Sequence, residues 1–210
     1  DAIIEGERSP DELVKLIHGR TVNRHGREIV RDSLEGNIEH ADIDLLKQYM
    51  EALQMYQRQK ETCLTEMIKL CKKHYHRAFS LLLSIPGIKE QSAVIIISEI
   101  GTDMSLFATA AALVSWAGLS PRNDESAGKI KSRKITHGNK YLRKALIEVA
   151  WAASRTRRSI FYNKFWRLRQ RNKNQNKCTV AIARHLLVII WSLLSKDEHF
   201  DNEYTLKISA

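Results

Sequence analysis

Hydrophobic side chains recur every three to four residues over most of this chain, and only three prolines and nine glycines interrupt 210 residues. That spacing sets apolar groups along one side of a helix, whereas a half-buried strand needs strict alternation. So few breakers leave room for long helices. The expected fold class is all-α, a helical bundle. Hydrophobic residues make up 43% of the sequence, enough for one sizeable core or two small ones.

The longest periodic stretch covers residues 41–76. Ile43, Leu46, Met50, Leu53, Leu64, Met67, Cys71 and His74 share one heptad register, which Gln57 and Lys60 interrupt. It predicts a long, coiled-coil-like helix that packs against another helix, in the same chain or in a second copy. His74 and His76 do not share a helix face, so they read as packing or surface residues and not as metal ligands. Upstream, Ser9-Pro10-Asp11-Glu12 reads as a helix start with Ser9 placed to cap, while residues 19–26 read as a loop. Further helices are expected at 108–117, 140–156 and 179–194, the last apolar nearly all round and so buried; 122–139 reads as a loop. Phe161, Tyr162, Phe165 and Trp166 alternate with Lys164, Arg167, Arg169 and Arg171. Such a segment can stack on bases, but its aromatics read first as core-filling, with the cations turned to water.

Charge divides sharply along the chain. Residues 1–120 hold 14 Lys and Arg against 17 Asp and Glu; residues 121–185 hold 18 against 3, a net charge of +15. A concentration of this kind attracts a polyanion and gains from counterion release, so nucleic acid is the first partner to consider. The three cysteines lack Cys-x-x-Cys spacing, which argues against a disulfide framework or zinc ribbon and for a reducing cytoplasm. No uninterrupted apolar run reaches the roughly 18 residues of a membrane span, and residues 1–10 are acidic where a signal peptide is basic. A cytoplasmic protein without a membrane partner is expected.

One segment carries a more specific pattern. In Leu81-Leu82-Leu83-Ser84-Ile85-Pro86-Gly87-Ile88-Lys89, a helix must stop before Pro86, Gly87 permits a tight turn, and a second helix follows to Ile100. The pattern resembles a helix-hairpin-helix element over about 79–101. In such an element the backbone around Gly87 and Ile88, with the following helix N-terminus, holds a DNA phosphate without reading bases, and Lys89 adds a cation.

Three blocks in order extend this. Ser84-Ile85-Pro86-Gly87-Ile88 with Glu99-Ile100-Gly101 comes first, then Trp116-Ala117-Gly118-Leu119-Ser120-Pro121-Arg122. Ser126-Ala127-Gly128-Lys129 follows, running on through Ile135-Thr136-His137-Gly138-Asn139-Lys140-Tyr141-Leu142-Arg143. Together they resemble the C-terminal domain of IS110/IS116/IS902 transposases across about residues 79–195. The resemblance implies a division into a helical connecting region (1–78), the transposase domain (79–200) and a tail (201–210). It implies DNA recombination, with Ser126 as nucleophile although Ala127 stands where the family more often has glycine. Lys129, Lys131, Arg133, Lys134, Asn139, Lys140 and Arg143 are then candidate DNA contacts beside it. It also implies a guide RNA, a homo-oligomer built through the long helix, and Mg2+ held by an acidic tetrad in an N-terminal RuvC-like domain. No such domain is visible before residue 40, so the chain is expected to be a fragment with no metal or cofactor of its own and little cleavage alone. The alternative is a non-catalytic module that binds DNA or RNA and oligomerises. A DDE-type site is disfavoured because the basic half offers only Asp124, Glu125 and Glu148 as carboxylates.

Overall fold

A computed structural model of the chain describes residues 1–121, 135–172 and 174–201, together with the backbone of 124–126 and 129–132. The fold is all-α: ten α-helices and one two-stranded hairpin lie among the described residues. The chain divides into two compact units, residues 1–63 and 64–210.

In the first unit, α1 (Pro10–Leu16) and α2 (Gly19–His25) both pack on α3 (Arg27–Asp32), and Leu13, Val14 and Val30 are buried. Ser9 occupies the N-cap position of α1, but its hydroxyl makes no capping bond. The stretch 19–26, expected as a loop, is helical. Gly19 stands at the first position, where it costs least, His18 accepts a hydrogen bond from the Arg20 amide through Nδ1, and Gly26 ends the helix at φ +89°.

The helix α4 (His40–His74) is 35 residues long, about 50 Å at 1.5 Å per residue. Ile43 and Cys71, near its two ends, are buried, whereas every residue from 53 to 63 is exposed. Its apolar positions Leu46, Tyr49, Leu53 and Tyr56 remain open to solvent.

The second unit is built around α10 (Gln175–Lys196). It packs against α5 (His76–Leu83), α7 (Ala110–Trp116), α8 (Lys140–Ala153) and α9 (Ile160–Arg171), while α6 (Glu90–Ile100) lies between α5 and α8. Ile182, Ala183, Leu186, Leu187 and Ile190 of α10 meet Leu82, Ile96, Leu113, Leu142, Leu146 and Phe161 in one core, all almost fully enclosed. Each large aliphatic side chain removed from water in this way contributes roughly 2 kcal/mol before entropy is subtracted. By length and composition α10 is apolar enough to cross a bilayer, contrary to the expectation that no segment is. Its buried stripe is instead the centre of this core. Phe161 and Phe165 are buried as expected of core aromatics, but Trp166 is exposed. The stretch 122–139 is not wholly a loop: β1 (Asp124–Ser126) pairs antiparallel with β2 (Lys129–Ser132).

Candidate nucleic-acid interface

Two segments cross at the foot of the hairpin because neither carries a side chain there. Gly118 has φ +68°, and a Cβ on it would stand 2.8 Å from the Gly138 nitrogen; a Cβ on Gly138 would overlap the Gly118 backbone. Around this crossing the Thr136 amide donates to the Ser120 carbonyl (3.0 Å), the Asn139 amide donates to the Trp116 carbonyl (3.1 Å), and Pro121 bridges Ile135.

Asn139 then ties the crossing to two helices. Its Oδ1 accepts from the amides of Tyr141 and Leu142, both at 2.9 Å, capping α8, and its Nδ2 donates to Glu99 Oε2 at 2.6 Å near the end of α6. The three sequence blocks therefore converge on one residue: Glu99 from the first, Trp116 and Gly118 from the second, Gly138 and Asn139 from the third. Asn139, a candidate DNA contact, has both ends of its amide committed to this junction. Lys140 is exposed, its ammonium 5.0 Å from the Tyr141 ring centre; Arg143 is half-buried, its guanidinium donating to the Thr136 carbonyl at 3.4 Å.

In the hairpin, Ser126 pairs with Lys129 next to the turn, Glu125 pairs with Ile130, and the register shifts between Asp124 and Glu125. The backbone of Ser126 is thus at the turn end of β1, and those of Lys129 and Lys131 lie on β2. The side chains of Ser126, Lys129 and Lys131, and the whole of Arg133 and Lys134, lie outside the described residues.

The helix-hairpin-helix candidates sit elsewhere. Gly87 has φ +93°, and a Cβ there would come within 2.7 Å of the Ala153 nitrogen, so the turn between α5 and α6 rests on the C-terminal end of α8. Ile88 is buried, whereas Lys89 is exposed at the N-cap position of α6. With Gly87 against the end of α8 and Glu99 against its beginning, α6 and α8 run antiparallel. The Gly87 turn and the Asn139 junction stand at opposite ends of α8, about 20 Å apart by the length of a 14-residue helix. They are two places, not one site. Helices α7 to α10 each carry a side-chain cap, from Thr109, Asn139, Ser159 and Asn174, whereas the first turn of α6 has no side-chain cap. Its Glu90 carboxylate is held by Lys72 at 2.6 Å.

A further group of cations becomes visible only in the fold. Lys164 on α9 is half-buried, and burial, followed by the charges of Arg167 and Arg184, holds its ammonium below the ordinary lysine pKa. His185, edge-on to the Phe161 ring at 6.0 Å, is pushed down to about 4, mainly by burial and secondarily by Lys164. Among the described residues Lys164, Arg167 and Arg184 have no carboxylate ion pair. Sequence reasoning counted these charges but did not join them, because residues 164 and 184 meet only when α9 packs on α10. Among the described residues no group of three His, Cys, Asp or Glu fits a metal ion.

Residues 79–165 match the family described as Transposase IS116/IS110/IS902. The "Pilin gene-inverting protein" of Moraxella bovis is 34% identical over 138 residues, 65% of this chain and 42% of that protein. Its namesake in Moraxella lacunata is 33% identical over 133 residues, 62% of this chain and 41% of that protein. An uncharacterized 43.6 kDa protein of insertion element IS110 in Streptomyces coelicolor is 28% identical over 134 residues, 60% of this chain and 31% of that protein. The matches thus span about two fifths or less of the curated relatives' length. The three motif blocks that meet at Asn139 all lie within residues 79–165, the segment that matches the IS116/IS110/IS902 transposase family.

Proposed function

We propose that this chain is the DNA-handling part of a site-specific recombinase and that Ser126 is its nucleophile. The observation that carries this reading is the junction at Asn139, where all three family blocks combine to hold the foot of a hairpin whose β1 ends in Ser126. Three motif blocks that together fix the foot of one short hairpin are intelligible if the hairpin does the chemistry.

In the proposed step the Ser126 hydroxyl attacks a DNA phosphorus. The new O–P bond replaces the bond to a deoxyribose oxygen, which leaves with a proton, and the phosphoserine diester conserves the energy for rejoining to a second strand. Cations flanking the phosphate, Lys129, Lys131, Arg133, Lys134, Lys140 and Arg143, would stabilise the charge on the attacked oxygens. On this reading Mg2+ is held by an acidic RuvC-like domain on another segment, which acts with this one in the bacterial cytoplasm.

The turn at Gly87 and the first turn of α6 would hold a second backbone phosphate about 20 Å away. Lys89 supports that assignment, as do α6 amides without a side-chain cap and a Glu90 already neutralised by Lys72. The basic half also suits a structured guide RNA, read through its backbone and shape. Through the exposed apolar positions of α4, copies of the chain would associate as a coiled coil over the expected connecting region, residues 1–78.

The test is Ser126→Ala in a protein that carries both the acidic domain and this chain. Recombination of a reporter plasmid should disappear while DNA affinity stays within about twofold, since one neutral hydroxyl adds little to a charge-driven complex. Undiminished recombination would remove Ser126 from the chemistry.

A further inference from the structure

Beside the foot of the hairpin lies a cleft of about 660 Å³, within the size range of sites for small organic groups. One wall is Leu119, Pro121 and Ile135, the residues at which the hairpin leaves the core. The other is one face of α10, where Lys177, Val180, Ala181 and Arg184 follow at helical spacing while the opposite face is buried. The floor is thus apolar, and both ends of the α10 wall are cationic.

Two further observations say what such a cleft suits. Arg184 belongs also to the group that includes Arg167 and the half-buried Lys164, and none of these, nor Lys177, has a carboxylate ion pair among the described residues. Like charges crowded together without an anion repel one another, and a bound phosphate relieves the repulsion. Secondly, Ser126 is five residues from Pro121, so its backbone stands no more than about 18 Å from the cleft wall. A strand that reaches the serine passes within a few nucleotides of the cleft. Duplex DNA would need only the exposed cations; a concave apolar floor matches the flat face of a base that has left its stack.

We propose that this cleft takes one unpaired nucleotide of the DNA strand that Ser126 attacks, with the base against Pro121, Ile135, Val180 and Ala181 and the flanking phosphates on Lys177 and Arg184. The inference rests on the nucleic-acid reading above and deepens it. It makes the enzyme selective for DNA that is locally opened near the exchange point.

The experiment compares the affinity of the 210-residue chain for three fluorescent probes: a blunt DNA duplex, the same duplex with one unpaired adenine, and the RNA duplex of the same bulged design. The bulged DNA should bind about tenfold more tightly than the blunt one, the scale of a single base contact. Filling the cleft with Ala181→Phe, or removing its charges with Lys177→Gln and Arg184→Gln together, should reduce that preference to less than twofold. Circular dichroism verifies that each variant is folded, and either variant alone suffices if the other is not. Equal affinity of the native chain for blunt and bulged DNA overturns the proposal, as does a preference that survives both changes. A preference confined to the RNA probe overturns the choice of DNA as occupant. Failure to bind even the blunt duplex would strike at the nucleic-acid reading itself, and the inference would fall with it.

Discussion

Gly138 shows how one missing side chain can fix the position of another residue. Its Cβ would overlap the Gly118 backbone, which cannot move without breaking the bonds that close the hairpin foot. Gly138→Ala should therefore destabilise the second unit by roughly 2–4 kcal/mol, in the range of overpacked and strained sites, and lower the melting temperature by about 5–15 °C. Gly36→Ala, where nothing lies within 4 Å of the new Cβ, is the matched control and should leave melting unchanged. His185 makes a different prediction. Its folded pKa of about 4 lies below the ordinary 6.5, so the unfolded chain binds the extra proton first. Stability is complete above about pH 6.5 and is lost as pH falls toward 4. The loss at pH 5 is about 2 kcal/mol, and thermal melting should show it as a drop of roughly 4–8 °C from pH 7. His185→Gln should flatten that slope; an equally steep slope in the variant would assign it to other groups.

At the scale of elements, the helices were legible because their evidence is local. The 3.6-residue period marked α4 and α8 to within a few residues, and the Pro86-Gly87 pair marked the break between α5 and α6. The misreadings have equally physical causes. Residues 19–26 looked like a loop because glycine and asparagine are poor helix formers, yet packing on α3 outweighs that propensity. The hairpin at 124–132 offers no apolar alternation in its sequence, where Asp124, Glu125 and Ser126 pair with Ser132, Ile130 and Lys129. The distance between the Gly87 turn and the Ser126 hairpin was not legible at all, because it depends on α6 and α8 running antiparallel. Helix α4 carries its own prediction. Leu46, Tyr49, Leu53 and Tyr56 are exposed at helical spacing on a helix whose residues 53–63 are all exposed. Sedimentation equilibrium at micromolar concentration should show an oligomer of the native chain, and replacing all four by glutamine should leave a monomer. A native chain already monomeric under those conditions would refute the role given to α4.

For the whole molecule, charge and fold act together. The net +15 of residues 121–185 falls on a stretch that contains β2, α8, α9 and the start of α10. A polyanion would be gathered there by long-range attraction and counterion release, and oriented by the rigid junction at Asn139. The three motif blocks, spread over sixty residues of sequence, meet in one junction at the foot of the hairpin whose β1 ends in Ser126. The most direct measurement is peptide mapping by mass spectrometry of the covalent complex trapped when the acidic domain and this chain react together with a nicked DNA substrate. The account predicts a nucleotide linked to the peptide containing Ser126 and no adduct in Ser126→Ala. An adduct on another residue, or strand exchange that proceeds with no protein–DNA link, would contradict it.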